Sequence, residues 1–474
     1  KRKFNIQGII CPLFSFFWGV LAAVYYIFVH RHILSALEWF SRNLAFSFVI
    51  GMFFGVFVID VFYSFGIVVK IKKFADENRI LVRYEEFKEH IQTEMRQKKE
   101  KYRFIFALHT SRPITGEGHN SAARAVKEQF DNAKTVCEIA DALAFLSPKA
   151  STFICKWHVR LYKKAPVLFG IGYKAAELTM PDKINRSMLY EIMAKGAKKL
   201  AKKISADNYD TVICTHPFAG MMLTKAMRKY KVRVKSYFVA TDYTCSPGVS
   251  ESKLDCYFIP HESLKPEFMR HGFKEEQLEA TGIPVSGKFV TDKTKAESKK
   301  ALGLPENKRV IILMCGSMGC GPMKLIARTV SEIIKDDEYL VVICGSNSKL
   351  YKSLSVYERE GSAHVVGYTH NMPDYMNSAE LILTKPGGLS TTEAAANKLP
   401  MVLIHAVSGC ETHNMKFWTE NNMAKTCEKS VDICRLVRDI MDNPDELASM
   451  RSELTRGFGC SAAEKIYEFI ANRG

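Results

Sequence analysis

Apolar and polar positions follow three different rhythms along the chain. Between Lys3 and His30 there is no charged residue, and the run holds Phe14, Phe16, Phe17, Trp18, Val20, Leu21 and Ile27. It exceeds the roughly 20 apolar residues with which a helix crosses a bilayer. A second run, Asn43 to Val69, is broken only by Asp60. The first run is too long for the apolar core of a signal peptide and shows no small-x-small cleavage site. The two runs, joined by His30–Arg42, predict a membrane hairpin over residues 1–72. Asp60 would be costly at mid-bilayer, so a re-entrant or interfacial segment is the competing reading. Lys1–Lys3 and Lys70, Lys72 and Lys73 flank the outer ends, whereas the loop holds Arg31 and Arg42. The positive-inside rule then sets both ends, and the body that follows, on the cytoplasmic face of the cell membrane. Residues 73–101 are charged and helix-compatible and read as a linker helix.

After Tyr102 the rhythm changes to short β-branched or aromatic runs alternating with helical stretches. One array holds Phe104–Thr110, Thr135–Ala140, Thr211–Thr215, Ser236–Thr241 and Cys256–Pro260; the next holds Val310–Cys315, Tyr339–Cys344, His364–Tyr368, Leu381–Lys385 and Met401–His405. Apolar strands separated by helices imply parallel sheets covered on both faces. The predicted class is α/β, with two Rossmann-like domains at 102–290 and 291–457 and a C-terminal helix over 458–474 that packs back on the first domain. Thr281-Gly282-Ile283-Pro284 reads as strand-like before the polar, Lys-rich boundary. Such a pair of domains holds its ligand in the seam, at the carboxyl ends of the strands.

Three glycine-bearing loops stand where that fold would use them. Thr115-Gly116-Glu117-Gly118-His119-Asn120 follows the first strand and opens a helix. Exposed N–H groups there suit an anion. Gly316-Ser317-Met318-Gly319-Cys320-Gly321 follows Val310–Cys315 and precedes a helix over Met323–Ile334. Neither loop is a GxGxxG fingerprint or a P-loop. The most specific is Lys385-Pro386-Gly387-Gly388-Leu389-Ser390-Thr391-Thr392-Glu393, whose helix start can hold a diphosphate. Glu393 either complements the helix dipole or accepts both ribose hydroxyls of a nucleotide. Gly409-Cys410-Glu411-Thr412-His413-Asn414 opens the next helix and converges on the same crevice.

Composition narrows the classes. Of 474 residues, 47% are hydrophobic and 25% charged, which excludes a disordered chain, a collagen and a disulfide-stapled mini-protein. The 13 cysteines are scattered with no CxxC pair, which points to a reducing compartment and to no zinc site. The formal net charge of +17 asks for an anionic partner. Residues 149–203 carry 13 Lys and Arg against 3 Asp and Glu, interleaved with aromatics. Beside a membrane hairpin this reads as contact with an anionic bilayer through Trp157, Arg160, Lys163 and Lys164, and not as nucleic-acid binding.

The order GxGHNxAA, HPF, TD, TGIP, Gly-Ser loop, KPGGxSTTEA and GxExxN resembles the family-28 glycosyltransferases, in the branch of monogalactosyldiacylglycerol synthases and processive diacylglycerol glucosyltransferases. The resemblance runs from about Phe104 to the C-terminus. It implies a GT-B fold whose first domain takes a lipid acceptor and whose second takes a UDP-sugar, with no catalytic metal and no cofactor beyond that donor. By the resemblance Gly316, Ser317, Gly387, Gly388, Ser390 and Thr391 face the diphosphate and Glu393 holds the ribose. Tyr368 and Thr369 then meet the uracil, and Glu411 and Asn414 lie near the sugar. Gly116, Gly118 and Asn120 form the acceptor-side loop. The implied reaction is inverting transfer of a hexose, glucose or galactose, to diacylglycerol in glycolipid synthesis. A histidine of ordinary pKa suits proton removal from the acceptor hydroxyl, which favours His119, with Asp242 and Glu117 as rivals. A polyprenyl-linked acceptor, or a UDP-sugar epimerase of the same fold, are the alternatives. The chain departs from the family pattern at Cys410, where Gln is frequent, and after Asp242, where Tyr243-Thr244-Cys245 replaces a His/Trp-containing stretch.

Overall fold

In the computed structural model the chain divides into two units, Lys1–Glu100 and Lys101–Gly474. The structure describes residues 104–109, 118–131, 135–147, 170, 173–174, 187–359, 363–407, 409–427, 432–458 and 461–472. The expected membrane hairpin and linker helix, with Gly116, Glu117, Trp157, Arg160, Lys163 and Lys164, lie outside these residues. Among the described residues no helix is long and apolar enough to cross a membrane.

The second unit contains two six-stranded sheets. The first comprises β1 (Phe104–His109), β2 (Val136–Asp141), β3 (Thr211–Cys214), β4 (Lys235–Val239), β5 (Cys256–Ile259) and β6 (Leu278–Ala280). Its order is β2-β1-β3-β4-β5-β6, and every pairing is parallel. The other comprises β7 (Arg309–Met314), β8 (Glu338–Ile343), β9 (His364–Val366), β10 (Ala379–Thr384), β11 (Met401–Leu403) and β12 (Ala424–Thr426). Its order is β12-β11-β10-β7-β8-β9, again all parallel. The order in which successive strands are added reverses once in each sheet, between β1 and β3 and between β7 and β10. These are the topological switch points, where ligands of open α/β sheets bind.

The strands are apolar on both faces because helices cover both. Ile213, Tyr237, Val239 and Phe258 pack one way, with Ala123, Val126 and Phe130 of the helix Gly118–Asp131. Val212, Cys214, Phe238 and Tyr257 pack the other way, into a core that continues across the seam to Val310, Ile312, Met401 and Trp418. The opposite face of the second sheet has its own core around Ile311, Leu313, Leu340 and Val437. The last helix, Ala462–Asn472, returns to the first domain. Its Ile466 and Ile470 are fully buried against Ala123, Val126 and Phe130, and Tyr467 meets Phe130 edge-on at 5.2 Å. Each buried isoleucine contributes about 1.5–3 kcal/mol to that docking.

Two edge strands differ from the sequence reading. The strand expected at Thr281–Pro284 lies three residues earlier, at β6, because Gly282 takes φ +96° and turns the chain out of the sheet. The three-residue β12 was not anticipated; its half-buried Lys425 and exposed Thr426 carry too little apolar pattern to mark it.

Candidate active site

Both switch points open onto one cleft of about 370 Å³ between the domains. On the first-domain side, β1 leads to the helix that begins at Gly118, and β3 leads to Thr215 and His216. His119 Nδ1 lies 2.7 Å from the Thr215 carbonyl oxygen. A carbonyl only accepts, so Nδ1 carries the proton and the lone pair of the neutral ring sits on Nε2. Thr241 Oγ1 lies 3.0 Å from the same Nδ1, so the ring is fixed from two strands. His216 has the opposite tautomer: its Nδ1 accepts from the Phe218 N–H at 3.1 Å and caps the helix Pro217–Tyr230. The two imidazoles meet edge-on at 4.5 Å, and both line the cleft. Leu143 and Phe218 add an apolar wall beside them.

On the second-domain side, the Gly316–Gly321 loop folds against the end of β8. Gly319 and Gly345 take positive φ, and a Cβ on either would fall 2.2–2.3 Å from a backbone oxygen of the other's loop. The Ser346 N–H donates to Ser317 O and the Asn347 side chain to Gly319 O, which holds the pair of loops together. Next to them β10 leads into Lys385, and Gly387 is the N-cap of the helix Gly388–Ala396. The N–H groups of that first turn and its positive dipole end face the cleft with Ser390. Lys385 also lines the cleft, its Nζ 2.5 Å from Glu411 Oε1; Glu411 Oε2 accepts the Val407 N–H. Tyr368 and Thr369 stand at the far end, Tyr368 half exposed.

Most of the expected site residues come together here: His119, Gly118, Asp242, Gly316, Ser317, Tyr368, Thr369, Gly387, Gly388, Ser390 and Glu393 all line the cleft. Four do not. Thr391 is fully buried, and its hydroxyl donates back to Gly387 O and Gly388 O, so it secures the turn from behind. Glu411 is the buried counter-ion of Lys385 and is not a lining group. Asn414 is fully buried: its amide donates to Asp242 Oδ1 at 2.9 Å and to Pro386 O, and its oxygen accepts from the Tyr243 N–H. Asn120 is buried in the first turn of the helix Gly118–Asp131. Two cations went unremarked in the sequence as site residues, Lys385 and Arg124; Arg124 is two turns beyond the Gly118 helix start, a spacing that could have been read onto the cleft face.

Burial shapes the two cleft carboxylates. It pushes Asp242 up to about 6, with the Asn414 hydrogen bond opposing and the Glu411 charge adding to the rise. It pushes Glu393 up to about 8, against the pull of the Arg124 guanidinium. Burial thus favours the protonated form of Glu393 more than that of an ordinary carboxyl. Among the described residues no group of three or more His, Cys, Asp or Glu is placed to hold a metal ion.

Two parallel-sheet domains with both switch points on one cleft define an α/β protein of GT-B architecture. Residues 119–285 match the monogalactosyldiacylglycerol synthase family model, and residues 310–466 match the glycosyltransferase family 28 C-terminal domain. The model described as "Putative ABC-transporter type IV" matches residues 1–65. Processive diacylglycerol beta-glucosyltransferase from Staphylococcus saprophyticus is 28% identical over 346 residues, covering 72% of this chain and 85% of the relative. The Bacillus pumilus enzyme of the same name is 26% identical, covering 72% of this chain and 88% of the relative. Among solved structures, Acinetobacter baumannii MurG aligns with a TM-score of 0.51 at 13% identity, covering 78% of this chain and 99% of that one. The S. aureus MnaA–UDP structure aligns at 0.52 and 16% identity, covering 78% and 96%; these two show the fold alone. The chain belongs to the family-28 glycosyltransferases, in the branch of the monogalactosyldiacylglycerol synthases and processive diacylglycerol glucosyltransferases.

Proposed function

We propose that the protein transfers a hexose from UDP-glucose or UDP-galactose to diacylglycerol, with inversion at the anomeric carbon, at the cytoplasmic face of the cell membrane. The observation that carries this reading is the pinned His119 ring, facing a helix N-terminus across the cleft. His119 Nε2 takes the proton of the acceptor hydroxyl as its oxygen attacks the anomeric carbon. The bond to the UDP oxygen breaks, and the negative charge develops on the diphosphate. The first-turn N–H groups of Gly388–Ala396, the Gly316 loop and the Lys385 ammonium receive that charge, so no metal is required for it. Glu393 accepts the ribose hydroxyls, and Tyr368 and Thr369 border the uracil. Asp242 is the rival base: its carboxyl lines the same cleft, and burial raises its pKa to about 6.

Contact with anionic lipid is supported by an exposed surface beside the acceptor wall. Leu189 and Ile192 are exposed on the helix Met188–Ala194, while its Tyr190 and Met193 pack against Leu143. Lys195, Lys198, Lys199 and Lys202 follow on the exposed side. Each basic group near an anionic surface contributes about 1 kcal/mol. Vesicle binding is expected to need anionic lipid and to fall with salt; indifference to lipid charge removes this part of the reading.

The deciding experiment offers UDP-glucose, UDP-galactose and UDP-N-acetylglucosamine with diacylglycerol and with polyprenyl phosphate, and identifies products by mass. A hexosyl-diacylglycerol is expected, its inverted anomeric configuration read by NMR, with His119→Ala lowering turnover about 10²–10⁴-fold. Near-normal turnover in that variant moves the base to Asp242, and product only from polyprenyl phosphate replaces the acceptor.

A further inference from the structure

One first-domain residue is buried almost wholly by second-domain side chains. Tyr243 follows Asp242 on the loop after β4, and its side chain is 1% exposed. Its ring stacks on Phe417 at 4.3 Å and meets Trp418 edge-on at 4.8 Å, with Phe458 at 6.4 Å. Phe417 and Trp418 belong to the second domain, and Phe458 ends its helix Pro444–Gly457. Its hydroxyl is 2.8 Å from Thr392 Oγ1, which itself bonds Gly388 O in the helix that faces the cleft. Its N–H donates to Asn414 Oδ1 at 2.6 Å, and the Asn414 amide holds Asp242 and Pro386. The loop is pressed so closely on this helix that a Cβ at Gly388 would lie 2.0 Å from Thr241 O.

The same three-residue loop touches the other half of the chemistry. Thr241 Oγ1 is one of the two groups that fix the His119 ring. Thr241, Asp242 and Tyr243 therefore form a short covalent span between the imidazole and the helix end that faces the diphosphate site.

We propose that Tyr243 is a positioning residue: its ring, seated in the Phe417–Trp418–Phe458 pocket, sets the register of the donor domain against His119. This rests on the reading of the cleft given above. Misplacing reacting groups by about 1 Å costs on the order of 10² in rate, whereas donor contacts made within one domain survive it. Loss of the plug should thus lower kcat and leave UDP affinity in place.

The test uses the full chain in detergent or in membranes, with Tyr243→Phe, Tyr243→Ala, Thr392→Val and the Phe/Val double variant. Tyr243→Ala is expected to lower kcat roughly 10–100-fold while the Kd for UDP stays within about twofold. Tyr243→Phe keeps the stack and is expected to lose only a few-fold, rescuing most of the rate. The double variant should match Thr392→Val within about twofold, because that change already removes the bond to the Tyr243 hydroxyl together with the one to Gly388 O. Wild-type-like kcat in Tyr243→Ala overturns the proposal. So does a joint loss of UDP affinity and kcat in Tyr243→Phe, which marks a merely structural role. If the wild-type chain transfers no sugar to any acceptor, the enzymatic reading fails separately. Hydrogen exchange then tests the latch: Tyr243→Ala should speed exchange at residues 241–243 and 388–392 without touching β3 or β7, and unchanged exchange defeats it.

Discussion

At Glu393 the chemistry of one carboxyl bears directly on donor binding. Burial holds its pKa at about 8, so below that pH the free protein carries a neutral acid there. Ribose hydroxyls donate better to a carboxylate than to an acid, so a bound nucleotide favours the ionised form. Binding must then release a proton from Glu393 at neutral pH. The affinity for UDP-glucose, whose diphosphate is esterified at both ends and has no ionisation in this range, is expected to rise as pH climbs from about 7 towards 8.5 and to level off above the free-state value. Calorimetry in buffers of different ionisation heat reads the proton release directly. Glu393→Gln should be weaker throughout and flat with pH; a flat wild-type profile denies the ribose role. Much of this site was legible in the sequence, since glycine and small-residue spacing places His119, Ser390 and Glu393 at strand ends. The roles of Glu411 and Asn414 were not legible. A motif fixes which residues sit near a crevice, but their partners, Lys385 and Asp242, come from β10 and from the other domain.

Within the elements, the helix Gly388–Ala396 shows why two glycines precede it. Gly387 is extended at the N-cap, with φ −79° and ψ 135°, a conformation open to other residues. Gly388 is the position with no room, its virtual Cβ 2.0 Å from the Thr241 carbonyl oxygen. Gly388→Ala is expected to push the two domains apart at this point, costing about 1–3 kcal/mol of stability and most of the turnover. Gly287→Ala is the control: nothing lies within 4 Å of its virtual Cβ, and its φ is not positive, so a change within about 0.5 kcal/mol is expected. Equal thermal stability of the two variants would remove the steric account. The long, doubly buried strands were readable because apolar runs of four to six residues have no other use in a parallel sheet. β6 and β12 were not, being three-residue edges whose pairing with β5 and β11 is decided by tertiary position and not by pattern.

At the scale of the whole molecule, the last helix ties the end of the second domain to the helix that begins with Gly118 and His119. Ile466 and Ile470 sit in the first domain's outer core, and Phe469 packs edge-on against Tyr237 at 6.3 Å and Phe258 at 5.3 Å. Among the described residues the chain before Lys295–Leu302, the Tyr243 plug and this returning helix each join the domains. A buried Ile→Ala change costs about 2–5 kcal/mol. Ile466→Ala and Ile470→Ala share one small core, so their double variant should be non-additive. Both are expected to lower the melting temperature and to release the helix to proteolysis before either sheet unfolds. Because the donor half does not touch this core, UDP binding should persist in the released form, while transfer falls as the Gly118 helix loosens. Loss of UDP binding in parallel with helix release would instead mean that the two domains unfold as a single cooperative body.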